Sequence, residues 1–153
     1  MIRICVRTYN GAQSAAAQAL FFKMTGQTLL HNARGAPVTA DGFVSIAHTK
    51  TLVACAVGDV SLGIDLELRS GRTDRVWQWA LTEGERQDPY QSWCRKEAYV
   101  KYLGTGFTTA PRKIDTETLP VVFWDMVREG NQLSLCTARE ESVEISWNPE
   151  ESF

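Results

Sequence analysis

The segment that most constrains the fold is a helix predicted over residues 89–103. Asp88 followed by Pro89 is typical of a helix start, because aspartate caps free N–H groups and proline fits the first turn. Gly104 is a typical C-terminal stop. On a helical wheel the apolar stripe contains Tyr90, Trp93, Cys94, Val100 and Leu103. Two charged residues, Glu97 and Lys101, fall inside this stripe.

These two charges have more than one interpretation. Glu97 and Lys101 are four residues apart with the acid first, so they would form a helix ion pair worth about 0.3–0.5 kcal/mol. A helix rotated relative to the wheel is an equally simple explanation. Alternatively, both side chains point into a cleft where a charged ligand binds, because a desolvated charge is costly unless it is paired or ligated.

A β-hairpin is predicted before the helix. Residues 51–57 are continuously apolar, which is typical of a strand covered on both faces. A glycine-led turn at residues 58–59 leads into a strand over residues 60–69, in which polar residues alternate with apolar ones. Asp65 and Glu67 therefore share one face. Either this is the wet face of an ordinary antiparallel strand, or the two acids tolerate each other because they bind a divalent cation.

The remaining patterns predict an α+β fold. Strands are predicted at residues 2–8, 43–47, 118–127, 132–138 and 143–147, and helices at residues 12–24 and 74–81. Residues 27–41 are predicted to be a loop, and residues 82–85 (T-E-G-E) have the form of a capping box. The last three strands are expected to form an antiparallel meander. We expect two lobes, residues 1–69 and residues 70–153, that together make one compact unit.

Composition excludes several classes of function. The chain has 153 residues and a net charge of −2, which is too mild for a dedicated nucleic-acid binder. Residues 1–50 hold five basic residues against one acidic residue, so anionic ligands are expected there. The start of the chain, M-I-R-I-C-V-R-T-Y, fits neither a signal peptide nor a membrane span, so we expect a cytoplasmic protein. Four separated cysteines indicate core thiols rather than a zinc site.

Chemistry-bearing residues converge on the two elements described first. Asp65 and Glu67 from the strand, with Glu97 and Lys101 from the helix, are expected to lie close together. A hard cation such as Mg²⁺ prefers carboxylate oxygens and leaves positions for water and phosphate. A lysine beside it would neutralise phosphate charge in a transition state. The chain has no glycine-rich phosphate loop of the Walker or dinucleotide type.

Several motifs resemble those of a known family. G-I-D-L-E at residues 63–67 and W-C-R-K-E-A-Y-V-K at residues 93–101 resemble the two signature motifs of the 4′-phosphopantetheinyl transferases. G-A-P at residues 35–37 and S-I-A-H-T at residues 45–49 resemble further segments of the surfactin-synthetase-activating type, which usually read G-K-P and S-x-S-H-S. The likeness covers about half of the chain.

The resemblance implies a fold and a reaction. The fold would be two small lobes related by a pseudo-twofold axis, each with antiparallel strands packed on helices. The reaction would move the phosphopantetheine arm of coenzyme A to a serine of an apo acyl or peptidyl carrier protein and release adenosine 3′,5′-bisphosphate. By this resemblance Asp65, Glu67 and Glu97 bind Mg²⁺, Glu97 or a metal-bound water accepts the serine proton, and Lys101 offsets charge on the pyrophosphate.

Coenzyme A contacts are also implied by the resemblance. Its phosphates would lie near Lys96, His48, Thr49 and Lys101. Because both lobes are expected within one chain, the resemblance implies a monomer. We expect no nucleic-acid or membrane partner.

Two positions depart from the family pattern. The usual lysine of the G-K-P segment is Ala36, and the serine before the histidine is Ala47. Arg34 and Lys50 lie nearby in sequence, and we hypothesise that they restore the missing positive charge.

Two other functions are compatible with the same residues. One is a Mg²⁺-dependent phosphohydrolase or nuclease that uses the same acids. The other is a non-catalytic protein that binds coenzyme A or a carrier without turnover. The residues do not indicate which carrier protein or pathway is served.

Overall fold

The computed structural model describes residues 1–152, apart from the side chains of residues 149, 151 and 152. The strands are β1 (Ile2–Thr8), β2 (Leu30–His31), β3 (Pro37–Val38), β4 (Phe43–His48), β5 (Leu52–Gly58), β6 (Leu62–Leu68), β7 (Val122–Arg128), β8 (Asn131–Thr137) and β9 (Val143–Ser152). The helices are α1 (Gln13–Thr25), α2 (Asp74–Ala80) and α3 (Pro89–Leu103), with 3₁₀ turns at Gly84–Gln87 and Pro111–Lys113. This arrangement confirms the predicted α+β class.

Two sheets form the centre of the molecule. The first sheet has the order β4-β5-β1-β9, in which β1 pairs antiparallel with β5 and parallel with β9. The second sheet has the antiparallel order β6-β8-β7. β2 and β3 form a small separate hairpin. Strand β9 is thus the last strand in sequence but completes the sheet that contains the first.

Apolar residues between the two sheets make the main core. Because successive strand residues point to opposite faces, each sheet contributes every second residue to this layer. The core includes Ile2, Ile4, Val6, Ala54, Ala56, Leu62, Ile64, Leu66, Leu133 and Leu135. The other face of the first sheet packs on α1 through residues such as Cys5, Val53 and Cys55. The layers are therefore α1, first sheet, second sheet and α3.

Helix α3 covers the outer face of the second sheet at very short range. Gly63 of β6 lies directly beneath it, and a Cβ atom at this position would overlap the Ala98 carbonyl oxygen and the Tyr102 backbone nitrogen. Only glycine allows this close approach. The face of β6 that carries Asp65 and Glu67 is consequently covered by the helix.

Local capping chemistry explains why α3 has its predicted bounds and why α1 differs from its predicted bounds by one residue at each end. The Asp88 side chain accepts a hydrogen bond from Gln91 N, and Gly104 ends α3 with φ 73°. Helix α1 likewise ends at Gly26 with φ 71°. The capping box at residues 82–85 is present, because Thr82 N donates to Glu85 Oε1 at 2.9 Å and Glu85 N donates to Thr82 Oγ1 at 3.3 Å.

The predicted strand pairings were wrong in two places. β5 and β6 do not form a hairpin, since β5 pairs with β1 and β4 whereas β6 pairs with β8. The last three strands do not form a meander, because β9 leaves the second sheet and pairs with β1. A glycine-led turn therefore carries the chain from one sheet to the other. The first sheet thus combines β1, β4 and β5 with the last strand, β9, and the division into lobes after residue 69 stays a prediction.

Two smaller expectations also differ from the structure. The segment predicted as loop over residues 27–41 contains the β2-β3 hairpin. The polar face of β6 is not wet, because α3 lies over it and buries Asp65.

The four cysteines are buried thiols, as predicted. Within residues 1–152 no helix is long and apolar enough to cross a membrane.

Candidate active site

Asp65 is a residue of β6 whose side chain lies beneath α3, near the place where the edge strands β4 and β6 of the two sheets meet. Strand β4 is held against β6 at this point, because Ile64 N donates to Ser45 Oγ at 3.0 Å. Lys101 Nζ donates to Asp65 Oδ1 at 3.2 Å and to the Ile46 carbonyl oxygen at 3.1 Å. The Lys101 side chain is 33% exposed, whereas that of Asp65 is 10% exposed. The ammonium therefore reaches from the buried acid toward solvent.

The second oxygen of Asp65 is not satisfied. Within the described residues, Asp65 Oδ2 is buried without a hydrogen-bond partner. Burial raises the pKa of this carboxyl above its ordinary value, and the negative charge of Glu97 adds to that rise. The positive charge of Lys101 and hydrogen bonding with the Glu67 carboxyl oppose it. A buried acceptor that lacks a donor is costly, so a cation or a proton at this position would be stabilising.

Glu67 lies beside Asp65 on the same face of β6. Its Oε1 accepts a hydrogen bond from Trp93 Nε1 at 3.1 Å, and its Oε2 accepts one from Arg72 Nη2 at 3.3 Å. Burial, followed by the negative charge of Asp65, raises the pKa of Glu67 to about 7. The two carboxyls are thus close enough to repel each other when both are ionised.

Glu97 extends the same electrostatic cluster from α3. Burial raises the pKa of Glu97, with a further rise from Glu67, and the positive charges of Lys101 and Arg72 oppose this change. Among residues 1–152, however, no three His, Cys, Asp or Glu side chains converge closely enough to hold a metal ion. The three acids are neighbours, but the structure does not bring them together as a ready-made coordination shell.

The chemistry of this cluster nevertheless fits a hard divalent cation. Three carboxyl groups with raised pKa values supply oxygen donors, and Asp65 Oδ2 is a buried oxygen that lacks a partner among the described residues. Mg²⁺ prefers such oxygens and commonly binds through one or two protein carboxylates plus water and substrate phosphate. The residues that could hold such an ion are Asp65, Glu67 and Glu97.

A groove of about 570 Å³ adjoins this cluster. Its lining includes Arg34, Ala36, Pro37, Ser45, Lys101 and Gly104. One wall is the turn in which Asn32 Oδ1 accepts hydrogen bonds from Arg34 N and Ala36 N, each at 3.0 Å. The opposite wall is the C-terminal end of α3. Lys101 is therefore shared by the groove and the acid cluster.

The remaining predicted phosphate contacts are distributed unevenly. His48 is exposed at the end of β4, and burial together with the charge of Lys101 lowers its pKa. Thr49 Oγ1 accepts hydrogen bonds from Thr51 N and Leu52 N, so this side chain stabilises the turn between β4 and β5. Lys50 is exposed at the same turn.

Lys96 does not lie where a phosphate could reach it. Its side chain has no solvent exposure, and Nζ lies 2.7 Å from Glu85 Oε1 in an ion pair that is also fully buried. Nζ also donates to the Pro111 and Ile114 carbonyl oxygens, each at 2.7 Å. The implied contact of Lys96 with coenzyme A is therefore corrected: this lysine is a buried structural residue.

Three residues that touch the cluster or stabilise α3 were not predicted to do so. Trp93 opens the second motif and lies one helical turn before Glu97, so its spacing could have indicated a shared face. The capping box at Glu85 was predicted, but the ion pair of Glu85 with Lys96 was not. Arg72 lies in an irregular linker, where no periodic pattern indicates which way a side chain points.

One protein-family model matches the part of the chain that contains this cluster. The family model described as the 4′-phosphopantetheinyl transferase superfamily matches residues 61–142. A comparison with curated proteins finds no match. The matched region contains β6, α3, both acidic motifs and the buried Glu85–Lys96 pair. Because it covers more than half of the residues, the chain belongs to the 4′-phosphopantetheinyl transferase superfamily.

Proposed function

We propose that the protein transfers the 4′-phosphopantetheine arm of coenzyme A to a serine of an apo carrier protein. The observation that carries this proposal is the buried acid pair on β6, with Asp65 bonded to Lys101, which is one third exposed and also lines a groove. In a chain of this superfamily, such a site suits a ligand that carries a diphosphate.

Asp65, Glu67 and Glu97 would hold Mg²⁺, which would supply neutralisation and polarisation of the diphosphate when bound. The carboxyls contribute by fixing negative charge at the junction of β6 and α3. Trp93 orients Glu67 through its indole N–H, and β6 orients Asp65 beneath α3. This rigidity is what a pre-organised site for phosphate chemistry needs.

Lys101 would bind the diphosphate directly. The Ile46 carbonyl oxygen and Asp65 hold its ammonium in position, and one third of the side chain remains exposed. An ammonium has three donors, so one remains for a phosphate oxygen. A positive charge there stabilises the negative charge that develops on the leaving adenosine bisphosphate.

Glu97 would accept the proton of the attacking serine hydroxyl. The serine oxygen forms a bond to the phosphorus that carries the pantetheine arm, and the bond from that phosphorus to the bridging oxygen breaks. Burial raises the pKa of Glu97, which makes it a better base than an exposed glutamate. The proton goes to Glu97 and the leaving group is adenosine 3′,5′-bisphosphate.

The groove would hold the nucleotide end of coenzyme A. Arg34 lies on its rim and Lys50 is exposed near the end of β4, so both could attract phosphate groups in place of the lysine missing at Ala36. His48, near Lys101, would contribute a further polar contact. The carrier protein would approach from the side of Glu97.

Mass spectrometry of apo carrier proteins incubated with coenzyme A and Mg²⁺ tests this function. We expect the carrier to gain the mass of one phosphopantetheine arm. Asp65→Asn and Glu97→Gln should each slow the gain strongly, whereas the matched change Asp74→Asn at an exposed position of α2 should not. Cleavage of coenzyme A without modification of the carrier would indicate a phosphohydrolase, and binding without either reaction would indicate a non-catalytic protein.

A further inference from the structure

Arg72 lies directly beside the acid cluster although it belongs to the linker between β6 and α2. Its Nη2 is 3.3 Å from Glu67 Oε2, and the Arg72 side chain is 38% exposed against 16% for Glu67. Its backbone N donates to the Tyr90 hydroxyl at 3.2 Å. The backbone and the guanidinium of Arg72 are therefore both anchored.

Two tryptophan rings flank the guanidinium. Arg72 Cζ lies 5.9 Å from the ring centre of Trp77 and 5.7 Å from that of Trp93. Both distances are within the range of cation–π attraction, which is strongest for tryptophan. The guanidinium is thus held by two aromatic faces and one carboxylate.

The rings themselves are fixed by other aromatic residues. Trp77 meets Tyr90 edge to face at 5.0 Å, and Trp93 stacks on Phe107 at 5.7 Å. Trp93 also donates its indole N–H to the second oxygen of Glu67. The arrangement therefore engages both oxygens of Glu67 and presents Arg72 to it as a pre-positioned cation.

We propose that the Arg72 guanidinium is the internal counter-ion of Glu67, and that a divalent cation displaces it from this carboxylate in order to bind. This inference rests on the proposed metal site. It explains why the acids are stable next to one another without a metal: Lys101 compensates Asp65 and Arg72 compensates Glu67. It also explains why no three acids of the described residues converge closely enough to hold a metal ion, because Lys101 and Arg72 lie beside them.

Competition between the two cations is expected to be readily reversible. The Arg72–Glu67 pair is partly exposed, and such pairs are weak because water screens them. A doubly charged ion gains more from three carboxylates than a single guanidinium gains from one. The tryptophan rings would keep the displaced guanidinium near the site, so it could return when the ion leaves.

Binding of Mn²⁺ to the intact protein, without coenzyme A or carrier, tests the inference. Mn²⁺ prefers oxygen ligands as Mg²⁺ does, and its free concentration can be measured by electron paramagnetic resonance. We expect Arg72→Gln to bind Mn²⁺ roughly fivefold to tenfold more tightly than the control Arg75→Gln, because only Arg72 competes for a carboxylate. Arg75 is exposed on α2, away from the acid cluster. Each variant loses one arginine, so the two have the same net charge.

Arg72→Lys provides a second variant that keeps the charge. Lysine lacks the planar guanidinium that stacks on tryptophan, so its Mn²⁺ affinity should lie between those of the wild type and Arg72→Gln. Near-ultraviolet circular dichroism of each variant checks that the aromatic packing is retained.

The outcomes separate the inference from the metal site on which it rests. If Arg72→Gln binds Mn²⁺ no more tightly than Arg75→Gln, while Asp65→Asn abolishes wild-type binding, the metal site stands and the counter-ion role is overturned. If the wild type binds no Mn²⁺, the metal site and the counter-ion role are both overturned.

Discussion

Two lysines of α3 lie in opposite electrostatic surroundings. Lys96 and Glu85 have no solvent exposure, and Lys96 pairs with Glu85 and donates to two backbone carbonyl oxygens. Glu85 Oε2 also accepts hydrogen bonds from Thr116 N and Thr116 Oγ1, at 3.1 Å and 2.7 Å. Lys101, in contrast, is one third exposed, and its partner Asp65 keeps a buried oxygen without a partner in the described part of the chain.

The difference indicates which charges serve the fold and which serve a ligand. The Glu85–Lys96 cluster (Thr82, Glu85, Lys96 and Thr116) is complete, and it joins α3 to the turns on either side. The cluster around Asp65 is incomplete, because among the described side chains its three carboxyls face two cations, Lys101 and Arg72. In a complete buried cluster every charged group already has its partners, so no group is left to bind a ligand. In an incomplete cluster at the end of a groove, an unpaired group can bind one.

The largest effect on stability is expected from Lys96→Met. The change leaves Glu85 buried without its cation, so the free energy of unfolding should fall by about 3–5 kcal/mol. Urea denaturation measures this loss. Glu85→Leu combined with Lys96→Met should recover part of it, because an apolar pair has no unpaired charge. A loss below about 1 kcal/mol would show that water reaches the pair.

Asp65→Asn should give the opposite pattern. Removing this carboxylate should lower the rate of phosphopantetheine transfer by about 10²–10³-fold, because charge stabilisation at the diphosphate is lost. The free energy of unfolding should be unchanged or higher, since a buried carboxyl with a raised pKa has been removed. Parallel activity and urea measurements test both parts. A destabilisation as large as that of Lys96→Met would remove the distinction between the clusters.

Sequence patterns predicted the bounds of α3 because the signals are local. Asp88, Pro89 and Gly104 specify the ends of the helix through their own chemistry. Strand alternation placed Asp65 and Glu67 on one face, and the metal-binding role of these acids and Glu97 stays a prediction from the family resemblance. The pairing of β6 with β8 was not predictable in the same way. A strand with one apolar face can pair with any partner that completes the core, so the choice depends on distant residues.

The surroundings of the charges were equally hard to predict. Lys96 and Lys101 both belong to the second motif, and nothing in their spacing distinguishes a lysine buried against Glu85 from one that opens onto a groove. Arg72 is placed by aromatic rings from α2 and α3 that come together only in the folded chain. Tertiary packing, rather than local sequence, determines which cations reach the acids.

Gly63→Ala should disturb both stability and activity. A Cβ atom at residue 63 would meet the backbone of α3 at Ala98 and Tyr102, so the helix must move away from β6. Such overpacking typically costs about 1–3 kcal/mol, and the movement would separate Lys101 from Asp65. We expect the free energy of unfolding and the transfer rate to fall together, unlike in Asp65→Asn. Normal values for both would show that α3 has room above Gly63.

The acid cluster should make stability depend on pH and metal. The folded pKa of Glu67, about 7, lies above its ordinary value of 4.5, so the folded state binds more protons between these values. Unfolding free energy should therefore fall as pH rises from about 4.5 to 7, by about 1–2 kcal/mol after allowance for solvent screening. Asp65 and Glu97 shift in the same direction. Thermal denaturation across this range, with Glu67→Gln as control, measures the slope.

Mg²⁺ should oppose this loss of stability. It binds ionised carboxylates, so the increase in melting temperature on adding Mg²⁺ should be greater near pH 7.5 than near pH 5. An equal increase at both pH values in the wild type and in Glu67→Gln would show that the ion binds elsewhere.

The smallest effects are expected at the rim of the groove. Arg34 is exposed there and Lys50 is exposed near the end of β4, so each should contribute no more than about 1 kcal/mol to coenzyme A binding because solvent screens their charges. Calorimetric titration of Arg34→Ala and Lys50→Ala measures this contribution, and Lys113→Ala, exposed in a 3₁₀ turn, removes the same charge elsewhere. A loss in the first two variants that diminishes at high salt would indicate that they replace the family lysine missing at Ala36. If both variants bind coenzyme A as Lys113→Ala does, Arg34 and Lys50 do not replace the missing lysine. Binding of the phosphates then depends on Lys101 and on the metal that the acid cluster would hold.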